Sequence, residues 1–414
     1  MSGGRAEQFD VVIAGGGMVG GSLAVALAGL PLRTLVVEAV PPAAETQPSY
    51  DDRATAISES SRRILAGLGC WRALAGGAAP IREIHVSERG AFGVTRLRAN
   101  EHGMESFGHV IENRALGSVL WQQLASEGVT AWSPASVVDL QQDEEWVRVH
   151  IDRAGAPAEV RARLLVAADG ARSPARAMAG IAHTVRDYGQ VAVIANLTPE
   201  SGHGGTAFER FTPSGPLAVL PLTRGRVTVV WSLPPATAGE VVALGDDDFM
   251  AGLQAEFGFR LGAFRKVGRR ASYPLSLVQA EEWHAGRVLL AGNAAHGIHP
   301  VAGQGFNLGL RDAAALAELI AGTLPSGDPG AAELREEYAA WREADRLRTV
   351  RDTDGLVQLF TSALPPLRAG RRLGLVGLDL LPPARAAVAR RGMGLTGRLP
   401  RLALGQPLSV RDAG

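Results

Sequence analysis

Three features are scarce in this sequence: cysteine, an excess of either charge, and long apolar runs. Its 414 residues include one cysteine, Cys70, which excludes an internal disulfide and favours a reducing compartment. Basic and acidic side chains number 42 each, so the charge balance gives no reason to expect a nucleic-acid partner. No apolar run reaches the roughly 20 residues that a membrane helix needs. We therefore expect a cytoplasmic protein that contacts a membrane at most peripherally, at its inner face.

The composition is that of a large globular protein. Hydrophobic residues make up 46% of the chain and charged residues 20%, which excludes a disordered polypeptide. A chain of 414 residues is too long for one small core. Either two structural domains or one large domain with an inserted lobe is therefore expected.

The N-terminal stretch follows the order strand, glycine turn, helix, strand. The apolar run "DVVIA" at 10–14 leads into "GGGMVGG", and "SLAVALAGL" at 22–30 then shows helical spacing before "TLVVEAV" at 34–40. This order is typical of the βαβ unit that opens a doubly wound sheet.

The rest of the chain contains a region with a different pattern. Residues 181–275 alternate apolar and polar positions between Gly and Pro breaks, which predicts an antiparallel sheet. Helices are predicted at 112–127 and 305–322, and strands at 145–152 and 159–168. The predicted fold class is α/β (α+β): a Rossmann-type domain with an inserted antiparallel-sheet lobe and a helical C-terminal part.

Glycines at fixed spacing predict a dinucleotide site. Gly15, Gly17 and Gly20 fit G-x-G-x-x-G directly after a strand, where they permit a tight turn, approach of a pyrophosphate and close packing of the helix. Glu38 ends the second strand and can accept hydrogen bonds from ribose hydroxyls. A carboxylate there disfavours a 2′-phosphate, so the site suits FAD or NAD better than NADP.

Two further stretches end buried strands in polar turns. "LLVAADGARSPAR" at 164–176 delivers Asp169 to a turn, and "RVLLAGNAAH" does the same for Asn293. After "HPVAGQG", a helix is predicted to begin near Gly305. Its N-terminal amides would favour a nearby anion.

These stretches, in this order, resemble the class A flavin monooxygenases, which share the fold of p-hydroxybenzoate hydroxylase. Further stretches are similar to the ubiquinone-biosynthesis hydroxylases, in particular the 2-polyprenyl-6-methoxyphenol hydroxylases. They are "DDRATAIS" at 51–58, "ERFTPSGPLAVLPL" at 209–222, "HPVAGQGFNLGLRD" at 299–312 and the segment 351–375. The resemblance covers nearly the whole chain.

The resemblance implies FAD as cofactor and NAD(P)H as co-substrate. It implies that FAD is held by glycines and polar side chains: Gly15, Gly17, Gly20, Glu38, Arg53, Arg114, Asp169, Asn293, Gly303, Gly305 and Asn307. It places the reacting part of the flavin beside Pro300, Gly303, Gln304 and His299.

The resemblance also divides the chain. The FAD-binding domain would comprise 1–80, 106–180 and 276–370, the substrate lobe 81–105 and 181–275, and a C-terminal helical segment 371–414. The expected substrates are a prenylated phenol and O2, and other ubiquinone-biosynthesis proteins are candidate partners.

Asn293 departs from the commoner "GDAAH" form of the third stretch. An amide oxygen can still accept a hydrogen bond from a ribitol hydroxyl, but without charge assistance. The loss of charge assistance is on the order of 1 kcal/mol, so we expect the asparagine to be tolerated and FAD still to be bound.

The pair His296 and His299 does not predict a metal site, because no third ligand accompanies it. His299 either tunes the flavin or contacts substrate, or else its ring is satisfied by backbone.

Two other functions share these motifs. A hydroxylase of a small, non-prenylated aromatic acid would need a basic side chain to bind the acid group. A non-catalytic flavoprotein subunit of a biosynthetic complex would bind FAD without substrate-stimulated oxidation of NAD(P)H.

Overall fold

The computed structural model describes residues 6–42, 53–91, 93–298, 303–324, 327–361, 374, 377 and 379–408. The strands within these ranges are β1 Glu7–Ala14, β2 Thr34–Val37, β3 Ala54–Ser58, β4 Ala79–Pro80, β5 Glu83–Glu88, β6 Val94–Arg98, β7 Gly108–Glu112, β8 Thr130–Trp132, β9 Ser136–Gln142, β10 Val147–Arg153, β11 Ala156–Ala167, β12 His183–Pro199, β13 Thr206–Thr212, β14 Gly215–Pro221, β15 Val227–Leu233, β16 Phe264–Ala280, β17 His284–Ala285, β18 Val288–Leu290 and β19 His296–Gly297.

The α-helices of the same ranges are α1 Met18–Ala28, α2 Glu59–Gly67, α3 Trp71–Leu74, α4 Asn113–Ser126, α5 Pro174–Met178, α6 Pro235–Ala243, α7 Asp246–Phe257, α8 Gln304–Thr323, α9 Ala332–Thr361 and α10 Pro382–Gly392. Short 3-10 helices lie at Ala75–Gly77, Ala99–His102, Gly292–Ala294 and Arg401–Leu404. None of these helices is both long and apolar enough to cross a membrane.

The first sheet has a parallel centre in the order β18-β11-β1-β2-β8, with β17 antiparallel at the β18 edge. Strands β1, β2 and β18 are short apolar runs, as expected of strands covered on both faces. Helix α1 packs against α8 and α4. Because the parallel strands share a direction, the turns that follow β1, β2, β11 and β18 meet at one edge.

The second sheet is mostly antiparallel, in the order β19-β16-β12-β15-β14-β13-β5-β6. Its one parallel pair joins β13 to β5. Strands β12 and β16, each 17 residues long, form its longest pairing. Helices α6 and α7 pack on one face of this sheet, where Phe249, Leu253 and Phe257 are buried with Trp231. The other face is therefore available to line a site.

A third, small sheet joins the two lobes. Strands β3 and β4 both pair with β7 in antiparallel orientation. Helix α8 contacts β3, and Ala54 and Ala56 of β3 pack, together with Leu220 of β14, on an apolar cluster that includes Ala207 of β13. This sheet therefore holds the start of α8 close to the second sheet.

The predicted fold class is confirmed, and the main predicted elements are present with shifted ends. The helices expected at 112–127 and 305–322 are α4 and α8. Within the predicted C-terminal segment 371–414, the described part contains α10 and the 3-10 turn at Arg401–Leu404. The predicted domain boundaries stay a prediction.

Candidate functional site

The turn after β1 requires its glycines. Gly15 has a φ of 99°, and a Cβ there would lie 2.5 Å from the carbonyl oxygen of Ala168. A Cβ on Gly20 would lie 1.9 Å from the carbonyl oxygen of Gly15. Gly17 directly precedes α1. The backbone at the start of α1 is thus open to a ligand, with amides that favour a phosphate.

Glu38 anchors this turn from the end of β2. Its Oε2 accepts a hydrogen bond from Gly16 N at 2.6 Å, and its Oε1 accepts one from Val40 N at 2.9 Å. Burial raises the pKa of Glu38, while the two backbone hydrogen bonds oppose that rise. Trp121 of α4 donates from Nε1 to Gly16 O at 3.0 Å. The sequence pattern did not single out Trp121, since it lies 105 residues away.

Asp169 holds the turn after β11. Its Oδ1 accepts a hydrogen bond from Ser173 Oγ, and its Oδ2 accepts one from Ala175 N at 3.0 Å. Burial raises the pKa of Asp169, and these two hydrogen bonds oppose the rise. Buried Arg176 donates from Nη1 to Ala294 O at 2.7 Å, which ties this turn to the one after β18.

The turn after β18 carries Asn293 on a 3-10 helix. The Asn293 side chain is exposed and lines the large cavity described below. Gly303 has a φ of 61° immediately before α8, and Gln304 and Gly305 begin that helix. His299 and Pro300 lie outside the described residues.

Asn307 has all its hydrogen-bonding capacity used within the protein. Its Oδ1 accepts from Ser58 N at 2.8 Å and Ser61 Oγ at 2.7 Å, and its Nδ2 donates to Ala56 O at 2.9 Å and Gly303 O at 2.7 Å. An amide offers two donors and two acceptor sites, so all four are occupied here. Asn307 lies at the cavity and fixes the start of α8 against β3 and α2.

His296 belongs to a buried ionic cluster. Its Nε2 lies 2.7 Å from Asp312 Oδ2, and both side chains are fully buried. Arg342 Nε donates to Asp312 Oδ1 at 2.6 Å, and Asp345 accepts hydrogen bonds from Arg342 and Arg311. In the described part of the chain, no group of three His, Cys, Asp or Glu could hold a metal ion.

One cavity of about 2010 Å³ connects these turns with the second sheet. Its wall contains Gly15, Gly17, Glu38, Asp169 and Asn293 at the edge of the first sheet, as well as Gly303, Gln304, Gly305 and Asn307 at the start of α8. The structure thus brings most of the predicted site residues to one cavity.

Two predicted arginines differ in position. Arg53 lines the cavity, with its guanidinium carbon 4.5 Å from the ring centre of Tyr273 on β16. Arg114 is exposed, and its neighbour Asn113 lines the cavity instead. Thr55 Oγ1 donates to Asn113 Oδ1 at 2.6 Å, so the sequence pattern missed a polar residue one position away.

The wall opposite the turns is mainly apolar. The second sheet contributes residues such as Ile84, Val86, Leu97, Ile194 and Leu220 to it. Glu209 of β13 interrupts this apolar wall. Such a wall suits an apolar ligand and keeps water away from it.

Comparisons with known proteins agree with this geometry. The FAD-binding domain family matches residues 8–352. The chain is 38% identical over 413 residues to the ubiquinone hydroxylase UbiL of Rhodospirillum rubrum, covering 99% of this chain and 95% of that protein. It is 34% identical to the 3-demethoxyubiquinol 3-hydroxylase of Escherichia coli, covering 93% of this chain and 97% of that protein.

The chain belongs to the ubiquinone-biosynthesis hydroxylases of the FAD-binding domain family. Like its family, it is an FAD-dependent monooxygenase, and NAD(P)H is the co-substrate typical of that family. The fold is shared with p-nitrophenol 4-monooxygenase PnpA from Pseudomonas putida at a TM-score of 0.79 and 21% identity, over 95% of this chain and 99% of that one. The resemblance drawn from the sequence is confirmed.

The residues present fit FAD. At Gly15 and Gly20 the backbone of the turn packs too closely to admit a Cβ, and the helix after it begins without a side-chain cap on its first amides. Glu38 offers a buried carboxylate at the expected ribose position. The cavity continues from this turn past Asn293 to the start of α8, and its volume exceeds the roughly 300–1,000 Å³ of a pocket for a single small molecule.

Proposed function

We propose that this hydroxylase transfers one oxygen atom from O2 to the ring of a prenylated phenol in ubiquinone biosynthesis. The observation that carries the proposal is the single cavity, which joins a dinucleotide-type turn to a mainly apolar wall. The similar proteins of Rhodospirillum rubrum and Escherichia coli are named for the hydroxylation of ubiquinone compounds.

When bound, FAD would supply the redox chemistry, which is acceptance of a hydride from NAD(P)H and activation of O2 for transfer of one oxygen atom to an electron-rich ring. The overall balance is phenol, O2, NAD(P)H and a proton giving the hydroxylated phenol, water and NAD(P)+. The protein's part is to bind, orient and exclude water.

We assign these parts to residues of the cavity wall. The amides at the start of α1 would hold the pyrophosphate, and Glu38 would accept a hydrogen bond from the adenosine ribose. Asn293 would accept one from the ribitol chain or contact the pyrophosphate. Asn307 would act as a positioning residue for the start of α8, since its polar atoms are already bonded.

The second sheet would keep the reacting ring dry. Its cavity-facing residues Ile84, Val86 and Ile194 are apolar. Exclusion of water favours oxygen transfer over unproductive release of peroxide. A prenyl tail would gain roughly 25 cal/mol for each Å² of apolar surface that it buries here.

A hydroxylase of small aromatic acids is the second candidate, and the wall does not favour it. An acid group needs a basic partner. Among the described residues that the second sheet contributes to the cavity, none is Lys or Arg.

The test is NAD(P)H oxidation by the FAD-loaded protein, with and without short-tailed 2-prenyl-6-methoxyphenol, with the product mass recorded. We expect stimulated oxidation and a product one oxygen heavier. Stimulation of NAD(P)H oxidation by 4-hydroxybenzoate and not by the prenylated phenol would favour a hydroxylase of small aromatic acids. A yellow protein that neither compound stimulates would favour a non-catalytic flavoprotein subunit.

A further inference from the structure

Glu209 stands in the middle of the apolar wall. It lies on β13, between Ala207 and Phe211, and pairs with Ala218 of β14 and Val86 of β5. Residues at paired or alternate strand positions share one face of a sheet. All five line the cavity, so the Glu209 carboxyl belongs to the ligand-facing side.

The described residues leave this carboxyl without a complete set of partners. Glu209 Oε1 is buried and has no hydrogen-bond partner in the described part of the chain. Burial raises the pKa of Glu209 to about 7. A buried polar atom without a partner is rare in folded proteins, and a bound ligand is one way to satisfy it.

Glu209 belongs to the part of the wall that packs towards the start of α8. Ala207, two residues before it, belongs to an apolar cluster against which both Leu220 and Ala56 pack. Ala56 in turn contacts Gly303, whose Cβ position would be 3.0 Å from the Ala56 Cβ. Glu209 is therefore on the side of the wall where the reacting ring, rather than a tail, is expected.

The charges around Glu209 set what it can bind. Among the described cavity residues of the second sheet, Glu209 is the one carboxylate. The other titratable side chains there are His183 and Tyr273. The basic groups of the cavity come from the first lobe and from later helices, with Arg348 and Arg351 on α9, where the acid Asp352 lies beside them. A carboxyl without a basic neighbour on the cavity side of its own sheet suits a neutral hydrogen-bond donor and disfavours an anion.

We propose that Glu209 accepts a hydrogen bond from the ring hydroxyl of the substrate, and thereby selects neutral phenols over aromatic acids. This inference rests on the proposed function, because it requires a phenolic substrate. Glu209 would be the residue that recognises the hydroxyl, and its carboxyl would be the reason why an acid group is disfavoured.

The first test compares two ligands in two proteins by calorimetric titration of the FAD-loaded enzyme. The ligands are 2-prenyl-6-methoxyphenol and 3-prenylanisole, which is the same compound without the hydroxyl. In the unchanged protein the phenol should bind about tenfold more tightly, since a buried hydrogen bond is gained. In Glu209→Leu the ratio of the affinity for the phenol to that for 3-prenylanisole should fall to about one, with little loss of affinity for 3-prenylanisole.

Ala218→Val is the matched control on the neighbouring strand. It changes the shape of the wall without changing its hydrogen bonding, so both ligands should shift together and the ratio should persist. An unchanged ratio in a Glu209→Leu protein of normal FAD content and melting temperature would overturn the inference.

Glu209→Gln provides a second test that keeps the shape and an acceptor oxygen. The affinity of the unchanged protein for benzoate, which has no ring hydroxyl, should fall as pH rises through about 7, because the carboxyl then becomes negative. The Gln variant should lack that fall and should bind this acid several-fold more tightly at high pH. Equal pH dependence in the two proteins would reject the selection role.

The two proposals can fail separately. The unchanged protein could hydroxylate the prenylated phenol while the Glu209 variants keep the same ratio of affinities for the two ligands. In that case the role proposed for Glu209 is wrong and the proposed function stands. If the unchanged protein neither binds nor hydroxylates any phenol, both are wrong.

Discussion

At the scale of single residues, the turn at the nucleotide end of the cavity requires glycines, because there is no room for a Cβ atom. Gly20 has no Cβ, and the backbone of Gly15 occupies the space that one would need. Gly15 itself has a left-handed φ, which residues with a side chain rarely adopt. The cofactor turn therefore tolerates little change.

We expect Gly20→Ala to abolish stable FAD binding. Its Cβ would lie 1.9 Å from Gly15 O, so the turn must open and lose its close approach to the pyrophosphate. The measurement is the FAD content of the purified protein and its dissociation constant on reconstitution. Gly29→Ala, at a position with nothing within 4 Å, is the control and should retain FAD; equal FAD content in both variants would contradict this account.

Residue roles could be read from the sequence only where they depend on local pattern. The glycines and Glu38 follow from spacing within one βαβ unit. The buried pairing of His296 with Asp312 and the bonds of Asn307 do not, because all their partners except Gly303 lie 16 to 251 residues away. Glu209 could have been singled out from the sequence. It is an acid two positions from each of Ala207 and Phe211, where the alternation of apolar and polar residues predicts an apolar one.

At the scale of elements, helices α8 and α9 are joined by buried charges. Asp312 of α8 accepts hydrogen bonds from Arg342 of α9 at 2.6 Å and from Gly292 N at 3.0 Å. Contacts with His296 and Arg342 lower the pKa of Asp312 despite its burial, so it is ionised in the folded protein. The same side chain therefore supports both the helix pair and the turn that carries Asn293.

We expect Asp312→Asn to destabilise the protein by about 3 kcal/mol, because it leaves Arg342 short of a buried partner. The urea midpoint of the FAD-loaded protein should fall accordingly. FAD affinity should fall as well, since the turn at Gly292 loses its anchor.

Glu337→Gln is the matched control for this change. It removes one charge from an ion pair in which the Glu337 and Arg398 side chains are 49% and 54% exposed. Its effect on the free energy of unfolding should therefore stay within about 0.5 kcal/mol. Equal midpoints for Asp312→Asn and Glu337→Gln would show that the buried cluster does not support the fold.

Elements with strong periodicity could be predicted, and short paired strands could not. Helices α4 and α8 follow from apolar spacing over 14 and 20 residues. The small sheet of β3, β7 and β4 has strands of two to five residues, and its pairing of Ala54 with Glu112 joins distant parts of the chain. Such pairing depends on tertiary contacts rather than on local pattern.

At the scale of the whole molecule, function follows from two sheets that share one cavity. The parallel sheet supplies the turns to which we assign the dinucleotide, and the antiparallel sheet supplies a mainly apolar wall. The change of pattern at residues 181–275 predicted the second sheet. It could not predict the cavity, because the cavity depends on how β3, which contacts α8, packs against the cluster that contains Ala207 of β13.

Oxygen transfer from O2 to the phenol is tested most directly by supplying heavy-isotope dioxygen to the FAD-loaded enzyme with NAD(P)H and 2-prenyl-6-methoxyphenol. We expect the hydroxylated product to carry one heavy oxygen atom, because that atom comes from O2. A product whose new oxygen comes from water, or the formation of peroxide alone, would show that the enzyme does not catalyse this transfer.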